Sequence, residues 1–153
     1  RSRKAFVSAR MRTLMSNGHP DRLRKLDRDE CFALLSGSVI GRVGYVVDGM
    51  AIIVPVNFGV ADGDIVFCTS KVSKLAWLSL RHRLAFQVDD TRPANHEGWS
   101  VLVHGSAREV TDPAELETLR QGPLQSWVQP PDEHWVRLVV ESISGRLLER
   151  TRP

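Results

Sequence analysis

Apolar and polar positions divide this chain into short segments, most of them alternating with period two. The first exception is helical. Asp27 precedes Arg28-Asp29-Glu30, placing an acidic residue at the capping-box spacing, and Leu26 and Cys31 occupy the staple positions. Cys31, Phe32, Leu34 and Leu35 supply an apolar face, and Gly37 stops the helix. Three strands are predicted next, Val39–Val47, Met50–Phe58 and Asp64–Thr69, joined by Asp48-Gly49 and Asp62-Gly63. Asp-Gly pairs tolerate the positive φ of a two-residue hairpin turn, so the three strands form a meander.

A short helix is predicted over Ser70–Leu80, with Val72, Leu75 and Leu78 on one stripe. Strands follow at Leu84–Asp89 and Trp99–Val110. Asp112-Pro113 opens another helix, with proline at the first helical position and Glu115 in the first turn. That helix ends near Gly122-Pro123. A proline-containing loop then leads to a last strand, His134–Ile143, and a basic tail. Strands joined mostly by hairpins, without regular strand–helix alternation, predict a mainly β fold: a small six-stranded antiparallel barrel with helical plugs.

Composition adds limits. At 153 residues, 42% hydrophobic and 25% charged, the chain suits one domain, expected over residues 21–153. The net charge of +3 is unevenly placed. Residues 1–28 hold nine Lys/Arg against Asp21 and Asp27, and the remainder carries a net −4. The basicity thus belongs to a leader, residues 1–20, expected to be flexible or packed on a partner. A nucleic-acid partner is not expected, because the body lacks a basic surface excess. No apolar run approaches a membrane span, and no signal peptide is visible. Cys31 and Cys68 form no CxxC pair, and a cytoplasmic location is expected.

Candidate chemistry is concentrated in two places. In "FCTSKVSKL", residues 67–75, a strand runs into a helix whose free N–H groups and dipole favour an anion. Thr69, Ser70 and Ser73 offer hydroxyls, and Lys71 and Lys74 offer charge. The segment reads as a phosphate cradle, with plain capping of a solvated helix as the alternative. In "IIVPVNFGV", residues 52–60, Pro55 implies an edge position or a bulge, and a bulge would re-aim the amide of Asn57 toward a pocket. An amide both donates and accepts, which suits the edge of a heterocycle. The alternative is an Asn that satisfies a turn. The five histidines show no metal-ligand spacing, and no nucleophile signature is present.

Taken in order, "LDRDECFALL", "VIGRVG", "PVNF", "IVFCTSKVSKL", "AFQVDD", "GWSVLVHGSAREV", "SW" and "ISGR" resemble the pyridoxamine 5′-phosphate oxidase-like family, in its actinobacterial form. The likeness runs from about Leu26 to Arg146. It implies a split β-barrel that binds FMN at a homodimer interface and acts as an oxidoreductase on a small-molecule electron donor or acceptor. It implies that Thr69 and Lys74, with Ser70, Lys71 and Ser73 beside them, hold the phosphate. Pro55, Val56 and Asn57 would line the isoalloxazine, Trp99 and Ser100 would approach it, often from the partner, and Trp127 would close over it. Ser73 stands where many relatives have glycine. Only seven residues follow Arg146, so the vitamin B6 reaction itself is not expected. The same fold admits the deazaflavin F420, for which Lys71, Arg81 or Arg83 could extend the basic groove. It also admits a non-catalytic flavin or haem carrier, with His82, His104 or His134 as axial ligand.

Overall fold

The computed structural model describes residues 22–70, 83–122, 124 and 133–149. Seven strands and two α-helices are found among them: β1 (Arg22–Leu26), α1 (Arg28–Ser36), β2 (Ile40–Val47), β3 (Met50–Ala61), β4 (Asp64–Ser70), β5 (Arg83–Arg92), β6 (Glu97–Glu109), α2 (Pro113–Gln121) and β7 (Glu133–Glu149). All strand pairings are antiparallel, in the order β1-β7-β4-β3-β2-β5-β6. Strand β6 also pairs with β7, so six strands close into a ring and β1 lies outside it. This is a split barrel.

Local chemistry explains the elements. Asp27 accepts from the Glu30 backbone N–H at 2.9 Å, and the Glu30 carboxylate accepts from the Asp27 N–H at 2.9 Å, completing the capping box. Asp48 and Gly49 have φ of 49° and 77°, and Asp62 and Gly63 have 54° and 77°, so both turns take the positive-φ hairpin form. Asp112 caps α2 through the Glu115 N–H at 2.8 Å.

Inside the ring, Val43, Phe58, Ile65, Phe67, Phe86 and Val103 form the main core. A second cluster of Val66, Val110, Leu119, Leu124 and Trp135 lies beneath α2 on the other face of the sheet. Arg137 of β7, only 6% exposed, ties the two layers together. It donates to Glu115 at 2.7 Å, to the Ala61 carbonyl at 2.9 Å and to Asp64 at 3.4 Å. Close approach also limits side-chain size. A Cβ at Gly41 would lie 2.1 Å from the Phe86 ring, and one at Gly105 would lie 2.0 Å from the Val139 carbonyl oxygen, where the β6–β7 register shifts.

Three expectations change. Residues 22–26 form a strand, because Arg22–Leu26 pairs with Gly145–Glu149. The basic tail begins inside β7, which runs on past Ile143 to Glu149. No bulge occurs at Pro55, whose ladder with β2 runs unbroken, Arg42 facing Pro55. The missing N–H is tolerated because the β3–β4 pairing begins only at Phe58. The leader, the predicted helix after Ser70 and the loop carrying Trp127 lie outside the described residues. Among the described residues no helix is long and apolar enough to cross a membrane.

Two measurements check this packing. Gly41→Ala should lower unfolding free energy by about 1–3 kcal/mol through overpacking. Gly44→Ala, whose Cβ would meet Ala85 at an ordinary 3.6 Å, should cost well under that. Equal urea midpoints for the two variants would refute the account. The second concerns Glu115, whose carboxyl is held below its ordinary range by a hydrogen bond from Arg108, assisted by Arg137 and opposed by burial. A carboxylate with a depressed folded pKa stabilises the fold above its unfolded pKa, and this is lost as pH falls through the folded value. Glu115→Gln should therefore cost about 1–3 kcal/mol at neutral pH. The gap from wild type should close in acid below the ordinary glutamate range; a gap independent of pH would contradict it.

Candidate functional site

Strands β3 and β4 pair from Phe58–Phe67 to Ala61–Asp64 and then part. Beyond that point Met50–Asn57 of β3 pairs only with β2, and Cys68–Ser70 of β4 pairs only with β7. The result is a fork in the barrel wall. Pro55, Val56 and Asn57 stand on one arm, and Thr69 and Ser70 on the other. The two segments singled out by sequence are thus brought to one place by a change of strand partner.

Side-chain direction sorts these residues. Phe58 and Phe67 face the core, so Val56 and Thr69 share the inward face, and Asn57 and Ser70 face outward. Val56 packs against the core, and Thr69 is buried. The Asn57 amide is the anomaly. Its Nδ2 is buried without a hydrogen-bond partner. A buried donor left unpaired costs about 1–3 kcal/mol, so such an atom asks for an acceptor. A flavin ring edge, with carbonyl oxygens and ring nitrogens, fits that demand, and the Thr69 and Ser70 hydroxyls on the other arm of the fork fit a phosphate.

Trp99 and Ser100 lie elsewhere on the sheet. Trp99 packs against the barrel core, while Ser100 faces outward opposite Asp89 and Arg146. Both border a groove of about 380 Å³, together with Glu97 and Leu148. Ser100 is three strands away from Asn57 around the wall, roughly 14 Å at the usual strand spacing. One chain therefore gathers Pro55, Asn57, Thr69 and Ser70 but leaves Ser100 apart from them. Lys71, Ser73, Lys74 and Trp127 lie outside the described residues.

A second concavity, of about 870 Å³, crosses the outer face of the wall. Its floor is a register row in which Ile53, Gly44, Ala85, His104 and Ser142 are successive cross-strand neighbours. Small residues at Gly44 and Ala85 leave the space between Ile53 and His104. At its rim Glu141 accepts from Ser106 and Arg83, and those two bonds hold its carboxyl below the ordinary range. Nothing in the sequence pattern marked this groove, because its floor comes from five strands that meet only in the folded sheet. Among the described residues, no group of three or more His, Cys, Asp or Glu side chains could hold a metal ion.

The comparisons agree with this architecture. A sequence model described as pyridoxamine 5′-phosphate oxidase matches residues 27–147. The uncharacterized protein Rv0080 of Mycobacterium tuberculosis is 33% identical over 127 residues, covering 79% of this chain and 82% of that protein. Among solved structures, the FAD binding protein from Mycobacterium smegmatis is 34% identical with a TM-score of 0.72, covering 83% of this chain and 98% of that one. The FAD and heme binding protein from the same organism shares the fold at 16% identity and a TM-score of 0.67, covering 84% and 76% respectively.

The unpaired amide can be tested without any ligand. Asn57→Leu should leave the stability of the ligand-free protein unchanged or raise it by about 1 kcal/mol, since it removes a buried donor that gains nothing from folding. A clear loss in urea unfolding would mean that the amide has a structural partner.

Proposed function

Because the chain belongs to the pyridoxamine 5′-phosphate oxidase family, we propose that it is an oxidoreductase that binds a flavin nucleotide across the β3–β4 fork, as a homodimer. The observation that carries this reading is the buried, unpartnered Asn57 Nδ2 on one arm of a fork whose other arm carries Thr69 and Ser70. FMN is the nucleotide expected from the sequence. FAD is the second reading, favoured by the FAD-binding relative at 34% identity. The two share a ring and a first phosphate, so the same residues serve both.

In this reading Asn57 donates to the ring edge, and Pro55 and Val56 support the ring along the free edge of β3. Thr69 and Ser70, with Lys71, Ser73 and Lys74 beyond them, bind the phosphate, the lysines as point charges. When bound, the isoalloxazine supplies hydride or electron transfer at its N5 to a small flat acceptor. The chain's part is to bind, orient and exclude water. Ser100, too far around the wall to reach its own chain's fork, supports completion of the site by a second copy. Exposed apolar side chains suit that contact: Val46, Met50 and Ile53 are 63%, 68% and 69% exposed at the β2–β3 hairpin. For F420 the sequence offered Arg83, which is engaged by Glu141. For haem it offered His134, whose Nδ1 is engaged by Glu109, and His104, which faces the outer groove.

Absorption spectroscopy of the purified protein, followed by heat release and chromatography of the chromophore, tests the reading. A flavin spectrum with released FMN or FAD is expected, from a particle near twice 17.2 kDa by light scattering. Lys74→Ala should weaken flavin binding by about tenfold or more and leave the particle mass unchanged. A colourless protein that takes up neither FMN nor FAD on titration would overturn the proposal. A Soret band or uptake of F420 would replace it.

A further inference from the structure

Thr69 has a neighbour that no sequence motif indicated. Across the β4–β7 ladder it stands directly opposite His134. Residues so paired have Cβ atoms about 4.5–5.5 Å apart on one face of the sheet. On the far side of β7, Glu109 of β6 faces Val136, which puts its side chain on the same face as His134 two residues away. The structure joins these two: His134 Nδ1 is hydrogen-bonded to a Glu109 carboxylate oxygen. Thr69, His134 and Glu109 thus form a polar row across three strands, at the end of the barrel interior beyond Phe67 and Val136.

The pair is partly buried, His134 with 22% and Glu109 with 30% of the side chain exposed. A carboxylate at Nδ1 fixes the ring's orientation and makes Nδ1 the donor, leaving Nε2 as the ring's other hydrogen-bonding atom. An oriented imidazole beside a threonine hydroxyl is suited to a phosphoryl oxygen, and in its protonated form it donates to the carboxylate and the phosphate at once. A purely structural ion pair could staple β6 to β7 without standing opposite Thr69.

Resting on the flavin-nucleotide reading above, we propose that His134, positioned by Glu109, is a further phosphate-binding residue that makes the site select flavin nucleotides over riboflavin. No covalent step is involved; the residue's work is recognition.

The test compares FMN with riboflavin, which has the same ring and ribityl chain but no phosphate, by fluorescence titration of the apo protein. Wild type should bind FMN far more tightly. His134→Gln should weaken FMN by roughly tenfold, the scale of one charge-assisted hydrogen bond, and leave riboflavin within about twofold. Glu109→Ala, which keeps the imidazole but frees it, should lose part of the FMN preference and none of the riboflavin affinity. Thermal melting of each variant checks that it folds, and His134→Asn serves if the glutamine does not. Equal losses for the two ligands, or an FMN preference undiminished in the folded variants, would overturn the inference while leaving the flavin reading intact. A wild type that binds both ligands equally would overturn it too. A wild type that binds neither would overturn the flavin reading, and the inference with it.

Discussion

Everything in this barrel depends on one strand having three partners. The first part of β7 pairs with β4, its middle and end pair with β6, and its last five residues also hold β1. At Val136–Leu138 both neighbours are present at once, and there the ring closes. The same short stretch carries Arg137, whose guanidinium reaches α2 and the β3–β4 turn. A buried cation costs several kcal/mol unless it is fully paired, and here carboxylates and a backbone carbonyl from three other elements pair it. The barrel wall, the helix outside it and the second core are therefore one cooperative unit.

Closure also creates the fork. Strand β4 must reach β7 to complete the ring, so over its last three residues it leaves β3 and pairs with β7 alone. Strand β3 meanwhile stays with β2 as far as the Asp48-Gly49 turn. A wall that closed with full pairing at every position would have no such gap. The opening is thus a geometric by-product of the way the ring closes. Its arms carry Asn57 and Ser70 on the outer face and Thr69, opposite His134, on the inner one.

Local signals were legible in the sequence. The Asp27–Glu30 box, both Asp-Gly turns and the alternation of Val101 and Val103 against Leu102 and His104 need only neighbours along the chain, and each is found in the structure. Pro55 correctly marked an edge, though the accompanying bulge is absent. What the sequence could not reveal is partnership between distant strands. Arg22–Leu26 gave no strand signal because its pairing partners are the last residues of β7. The "GRLLER" segment looked like a charged tail for the reciprocal reason. Asn57 was picked out as an amide in an apolar run, but the burial of its Nδ2 without a partner exists only in the folded barrel. His134 read as one of three possible haem ligands, since its position opposite Thr69 exists only in the β4–β7 ladder.

The dependence on β7 has a temporal side. A chain made from its N-terminus presents β1 with no partner, and β4 and β6 each with one open edge, until residues 133–149 emerge. Non-local pairings of this kind pay their loop-closure entropy late and fold slowly. For that interval the nascent protein is an open, curled sheet with two edges able to capture a strand from another chain. Outward His104, Ser106 and Arg108 make the waiting edge of β6 polar. The protection they offer is needed during synthesis, before the closing strand arrives.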